Sequence, residues 1–337
     1  MLQGQTWIFK NRPRLISTGT VGGPFEAKGN IPEAFDILHD DIWMKQTSFE
    51  KAQQTMLEEA CQYAIKNSNL SKEQIDFFIG GDLINQMTPT TFTADTIGIP
   101  YFGIFSACAS SMEGLALAAH MINSDGATHI LTGTASHNAA TERQFRYPTE
   151  YGGQKPPTSQ WTVTGAGCGL VAKTGAGPHI TSATIGKVVD MGMTDPFHMG
   201  GAMAPAAVDT IIAHLRDLQL DVGHYDLIIT GDLGHDGRKI ALDLLLEKGI
   251  AIQAEQFVDC GAVVYRDDQP VLSGGSGTAC SAIGIYGHYV QMLKDGTVDR
   301  ILAVATGALH SPMSVQQKGS IPCIAHAVSL EAGSDAT

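Results

Sequence analysis

Apolar positions along the chain alternate between two rhythms. In "SFEKAQQTMLEEACQYAIKNSNL" (48–70) and "APAAVDTIIAHLRDLQ" (204–219) they recur every three or four residues, which predicts amphipathic helices. Each helix is followed by a short apolar run, "IDFFIGGDLI" (75–84) and "YDLIITGDLG" (225–234), in which an aspartate, a strand and Gly-Asp-Leu succeed one another. A second pair, "SACASSMEGLALAAHMINSDGATHILTGT" (106–134) and "SGTACSAIGIYGHYVQMLKDGTVDRILAVA" (276–305), repeats a small-residue turn, a helix, an Asp-Gly stop and an apolar strand. "TGAGCGLVAK" (164–173) and "PCIAHAVSLE" (322–331) end the copies on strand-like segments. The first pair is offset by 150 residues (225 minus 75) and the second by 170 (276 minus 106), so the second copy carries about 20 extra residues, within 236–275.

Strands alternating with helices of this length predict mostly parallel sheets covered by helices, joined by right-handed crossovers. Two copies packed together give an α/β fold of five layers, αβαβα, with residues 1–175 as the first half and 176–337 as the second. The segment 135–160, "ASHNAATERQFRYPTEYGGQKPPTSQ", has no counterpart in the second half. A connection of this length inside a compact domain points to function; a plain surface excursion is the alternative.

Composition narrows the function. Lys plus Arg number 21 against 34 Asp plus Glu, a net charge of −13, which opposes binding to nucleic acid or anionic lipid through bulk electrostatics. An anionic ligand then needs a local cluster of donors. The six cysteines are scattered without a CxxC or a metal-ligand spacing, which predicts reduced thiols, a cytosol-like compartment and no metal site. The N-terminus "MLQGQTWIFKNRPRL" lacks the apolar stretch of a signal peptide, and no run of about 18 apolar residues offers a transmembrane span.

The chemistry gathers around "FSACASSMEGLALAAHMI" (105–122), where Cys108 stands at the start of a helix whose N–H groups favour a thiolate. A cysteine near residue 110, "GAGCG" (165–169) some 60 residues later and the duplicated α/β unit resemble the thiolase superfamily, nearest to its ketoacyl-ACP synthase III branch. "SHNAATERQFRYPTEYGGQKP", "TDPFHMGGAMAPAAVDTI" and "SIPCIAHAV" are similar to the stage V sporulation protein AD family. That resemblance implies a thiolase-type homodimer, through the strand after the Cys108 helix (128–134), on the cytoplasmic side of the forespore or spore inner membrane. It also implies partnership with the other SpoVA membrane channel proteins and binding of dipicolinate (pyridine-2,6-dicarboxylate), free or as its calcium chelate, for uptake into the developing spore. No cofactor is implied, and calcium enters only as the ligand's counter-ion.

The synthase III pattern pairs its cysteine with a histidine followed by Gln-Ala-Asn and with an asparagine in a glycine-rich turn. Here the matching stretches read "LIITGDLGHDG" (227–237), with Gly231 at the histidine position, and "VLSGGSGTACSA" (271–282), with Ser276 and Thr278 but no asparagine. Acyl transfer without these groups forfeits most of its acceleration, so a non-catalytic binding protein is expected. A condensing enzyme using Cys108 with His235, and a structural subunit with a vestigial cavity, remain alternatives. A dicarboxylate requires cations or several N–H and O–H donors and an apolar wall. The candidates are Cys108, His137, Asn138, Arg143, Arg146, Tyr147, Tyr151, His198, Ser276 and Thr278. For Arg143 and Arg146 a surface ion pair is the competing reading, and for His137 a core histidine satisfied by backbone.

Overall fold

The computed structural model describes residues 1–145 and 155–333. Ten strands carry the architecture: β1 (Arg14–Gly22), β2 (Phe77–Asp82), β3 (Tyr101–Gly103), β4 (His129–Ser136), β5 (Gly165–Ala172), β6 (His179–Ile185), β7 (Leu227–Thr230), β8 (Phe257–Asp259), β9 (Arg300–Ala308) and β10 (Cys323–Glu331). They run in the order β8-β7-β9-β10-β6-β1-β5-β4-β2-β3, which reads the same from either end once each strand is exchanged for its copy. Within each half the strands pair in parallel except at β5 and β10, which run antiparallel to both neighbours. Between halves β1 and β6 meet at one register pair, Arg14 with His179.

Helices fill the other layers. α1 (Phe49–Ser68) starts at Ser48, whose hydroxyl accepts from the Lys51 N–H at 3.2 Å, and stops at Asn69 in the left-handed region. Its apolar face, with Met56, Leu57, Ala60 and Ala64, covers the first sheet from outside, beside α2 (Thr88–Ile97). α3 (Ser110–Asn123) is buried on almost all sides, because it lies between the two sheets. After β4 comes α4 (Asn138–Phe145), and the second sheet is covered by α5 (Met199–Leu218) and α6 (Gly234–Glu247). α7 (Cys260–Val264) opens the extra segment of the second half: Gly103 leads to Cys108 within a few residues, whereas Asp259 reaches Thr278 only after 260–275. α8 (Thr278–Ile283), continued as a π-helical turn over Gly284–Tyr289, pairs with α3 in the middle layer.

Ser111 and Ser281, copies 170 residues apart, meet there with their hydroxyls at 2.7 Å, close to the pseudo-twofold axis. The glycines of β5 make room for α8: a Cβ on Gly167 would stand 2.8 Å from Ala282. "GAGCG" is therefore a packing device. The five-layer duplicated fold expected from the repeats is present. One expectation changes: β4, the segment proposed for dimerisation, is an interior strand between β2 and β5. Among the described residues the outer edge of the first half is β3, which carries exposed Phe102 and lies between exposed Phe92 and Phe105 in sequence.

Candidate functional site

The C-terminal ends of β2, β4, β7 and β9 point to one end of the sheet, and the turn carrying Cys108 closes over them. Ala107 holds φ 49°, a left-handed conformation costing an L-residue roughly 1–2 kcal/mol, and the turn presents Cys108 to a small chamber. Leu83, Phe105, Thr141, Phe145, Ser276 and His310 contribute to its walls. The chamber measures about 40 Å³, room for a few waters.

Facing Cys108 is Asp232, completely enclosed just after β7. Its carboxylate accepts from Thr306 Oγ1 (2.7 Å), Gly277 N–H (3.0 Å) and Ser276 Oγ (3.3 Å), and it interacts electrostatically with the Cys108 thiol. Burial raises the Asp232 pKa, more than its hydrogen bonds lower it. The Cys108 thiol is pushed well above the ordinary cysteine range, by burial first and then by the Asp232 charge, which together outweigh the Gly277 N–H. Asp259 stands behind, its carboxyl raised to about 7 by burial although it accepts from Thr230 Oγ1 and from the Leu233 and Gly234 N–H groups. Burial and a carboxylate in a dry pocket thus oppose the thiolate that the helix terminus favours.

Outside the chamber lies a vestibule of about 520 Å³. The two cavities share Leu83, Phe105, Phe145 and His310, and the rings of Phe145 and His310, 5.6 Å apart, form the neck between them. Asn85, Gln86, Gln144 and Ser311 supply polar groups, Met87 and Met313 apolar walls. Gln144 is held rigid, donating to the Leu83 carbonyl (2.9 Å) and accepting from the Asn85 N–H (2.7 Å).

The ten residues chosen from the sequence divide sharply. Cys108 and Ser276 line the chamber. Thr278 does not; its hydroxyl donates to the Ala135 carbonyl at 2.7 Å, sealing the middle layer. His137 is a satisfied core histidine: Nε2 donates to the Ile42 carbonyl (2.8 Å), Nδ1 accepts from the Ala139 N–H (3.2 Å), its ring stacks on Phe49 and burial lowers its pKa. Asn138 begins α4 with its N–H on Thr164 Oγ1 (3.0 Å), away from both cavities. Arg143 is an exposed surface cation paired with Glu50. His198 caps α5, accepting from the Gly201 N–H at 3.2 Å, and it is the adjoining Met199 that reaches the chamber. Arg146, Tyr147 and Tyr151 lie outside the described residues. His235 is exposed in the first turn of α6 and lines neither cavity.

Asp232, Phe145 and His310 were missed. Asp232 had a signal: it belongs to the repeated Gly-Asp-Leu, one residue past the aligned Gly231. Phe145 carries no such signal, standing between the more conspicuous charges of Arg143 and Arg146.

A chamber of this kind at the centre of a duplicated five-layer fold invites comparison with known proteins. The sequence family described as "Stage V sporulation protein AD (SpoVAD)" matches residues 3–331. The chain belongs to the stage V sporulation protein AD family. Stage V sporulation protein AD of Bacillus subtilis (strain 168) is 46% identical over 327 residues, covering 97% of this chain and 96% of that protein. Membership assigns the chain to stage V of sporulation. Among solved structures, 3-oxoacyl-[acyl-carrier-protein] synthase III from Aquifex aeolicus VF5 has 17% identity and a TM-score of 0.55, covering 95% of this chain and 99% of the other. Cerulenin-bound OleA of Xanthomonas campestris has 14% identity and a TM-score of 0.61, covering 98% and 99%. At such identities the likeness establishes the thiolase-type fold of this sporulation protein AD member and nothing more. Among its described residues no helix is long and apolar enough to cross a membrane, and no three His, Cys, Asp or Glu side chains converge as a metal site would require.

Proposed function

We propose that the protein is a non-catalytic binding component of stage V sporulation, and that its ligand is dipicolinate, free or as the calcium chelate, taken up with the SpoVA channel proteins at the cytoplasmic face of the forespore membrane. The observation carrying the non-catalytic half is the Cys108–Asp232 pair: the thiol is buried beside a buried carboxylate, and burial first and that charge second raise its pKa. A nucleophile needs the opposite arrangement.

The ligand half belongs to the vestibule rather than the chamber. A volume of about 520 Å³ falls in the ordinary range for small-molecule sites, roughly 300–1,000 Å³, whereas about 40 Å³ does not admit an aromatic ring. Phe105 and Phe145 offer faces for the ring, and Asn85, Gln86 and Ser311 offer donors. Thr141 Oγ1, on the chamber wall, has no hydrogen-bond partner among the described residues and is available to a carboxylate or bridging water. A net charge of −13 favours the calcium chelate over the free dianion at long range. The homodimer is best supplied by β3, whose edge, unpaired among the described residues, and nearby exposed phenylalanines gain cover from a second copy.

The test is a plug at the vestibule. Asn85 is exposed, so Asn85→Trp fills the space without touching the core; dipicolinate affinity should fall at least about tenfold, roughly 1.4 kcal/mol, with an unchanged melting temperature. Unchanged affinity would remove the ligand from the vestibule. Incubation with acetyl-CoA followed by intact mass should give no adduct; an acyl adduct abolished by Cys108→Ser would restore the enzyme reading.

A further inference from the structure

A third cavity, of about 450 Å³, lies at the other end of the sheet. It is bordered by Arg12, Arg14, Lys173 and His179 together with Asn11 and the Thr174–Ala176 turn. The register fixes its location: Ala172 pairs with His129 at the start of β4, while the Cys108 chamber lies past that strand's C-terminal end. The cavity straddles the junction of the two halves, since Arg14 opens β1, His179 opens β6 and Lys173 begins the link between β5 and β6.

Three permanent cations and a histidine around one hollow contrast with a chain whose net charge is −13. Two of the cations are partly compensated: Arg12 pairs with Glu331 at 2.5 Å and Lys173 with Asp125 at 2.6 Å. Arg14 is not. Its Nη1 donates to the Gly175 carbonyl at 2.8 Å, and among the described residues no carboxylate lies within ion-pair distance of it. The turn beneath is rigid: Gly177 holds φ 135°, and a Cβ there would stand 2.2 Å from the Leu15 carbonyl oxygen. His179 Nδ1 lies 3.4 Å from the Arg12 carbonyl oxygen, and the groups facing the imidazole are Arg12, Arg14 and Glu331. Burial, with the Arg14 and Arg12 charges, depresses its pKa against the Arg12 carbonyl hydrogen bond and Glu331, and an anion seated beside the ring favours its protonation.

We propose that this hollow is a binding site for a tetrahedral oxyanion of the phosphate class, held by the Arg14 guanidinium with Arg12, Lys173 and His179, and bridging the two halves of the fold. A planar fork with unused N–H donors suits such an oxyanion. The anion is either free or carried as a lipid headgroup, and the site differs from the vestibule in position and ligand chemistry.

Calorimetric titration of the full chain with inorganic pyrophosphate at low salt tests it, beside flotation with phosphatidylglycerol vesicles and phosphatidylcholine vesicles as control. Pyrophosphate should bind saturably, and both Arg14→Ala and Lys173→Ala should weaken it, the first at least about tenfold, with melting temperatures close to wild type. Sulfate, whose charge does not change across the range, should bind more tightly at pH 5.5 than at pH 7.5 in wild type and equally at both in His179→Asn. Flotation with phosphatidylglycerol alone, lost in Arg14→Ala, would assign the anion to a headgroup; pyrophosphate binding without flotation would assign it to a free anion. Absence of both, or affinities indifferent to Arg14 in a folded variant, would overturn the site.

Discussion

Asp82 and Asp232 are the same residue in two copies of one strand, yet they have come to different ends. Asp82 turns inward and is consumed by its own turn, accepting from the Ile84 N–H (2.7 Å), the Thr90 N–H (2.9 Å) and Thr90 Oγ1. Asp232 holds Gly277 and Thr306 of its own half and faces the Cys108 thiol of the other. The turns that follow diverge in step. Ala107 presents Cys108 to a cavity, whereas Gly277, at φ 101°, leads into Thr278, whose hydroxyl is spent on the Ala135 carbonyl. Duplication supplies two equivalent scaffolds; what each turn does with its polar side chain decides which one keeps a cavity.

The contrast breaks most severely at Asp82. Asp82→Ala leaves three buried donors without an acceptor, at about 1–3 kcal/mol each, so a loss on the order of 4 kcal/mol is expected from denaturant unfolding. Asp232→Asn keeps its shape and an acceptor oxygen, and its main effect should appear at Cys108: with the charge gone the thiol pKa falls, and alkylation by iodoacetamide at pH 8 should quicken about tenfold in the folded protein. An alkylation rate equal to wild type would mean that the Asp232 charge does not silence the cysteine.

A pH effect of the next size comes from the buried carboxyls. Glu26 is raised to about 7, Asp259 to about 7 and Asp82 to about 6, each by burial. Protons held more tightly in the fold than in the unfolded chain stabilise it below the unfolded pKa values, and this stability drains away as pH rises through 6 to 7. The protein should therefore melt higher at pH 5 than at pH 8. Glu26, bonded to Tyr265 across the halves, accounts for about 3 kcal/mol of that difference at one pKa unit per 1.36 kcal/mol, and Glu26→Gln should remove its share.

Smaller effects sharpen the division between vestibule and chamber. Phe145→Ala widens the neck and should accelerate Cys108 labelling while weakening dipicolinate binding by about 1–2 kcal/mol, as loss of a partly buried aromatic wall would. Arg143→Ala should change binding least, by less than about 1 kcal/mol, because the side chain is exposed and paired with Glu50. A larger loss would return Arg143 to the ligand.

The repeats made the architecture legible because apolar periodicity is a local property: helix, strand and Gly-Asp-Leu recur at nearly constant offset, and the extra segment falls at 260–275, inside the range the offsets allowed. The site was legible only at Cys108 and Ser276, which sit on turns the repeats define. His137, Arg143 and His198 were chosen for their chemistry, and each was claimed by a nearby partner: the Ile42 carbonyl, Glu50 and the Gly201 N–H. A polar side chain next to a cavity in sequence is open to local satisfaction that residue type does not reveal. Phe145 and His310 meet from different halves, 165 residues apart (310 minus 145), and no periodic pattern connects them.

The central claim, a binding protein built on a disarmed condensing-enzyme scaffold, is tested most directly by calorimetric titration of the wild-type chain with dipicolinate beside the monocarboxylate picolinate, each with and without calcium. One ligand per chain is expected, with dipicolinate at least about tenfold tighter than picolinate, a gap of roughly 1.4 kcal/mol. Equal affinities, or no heat from either compound, would contradict the account.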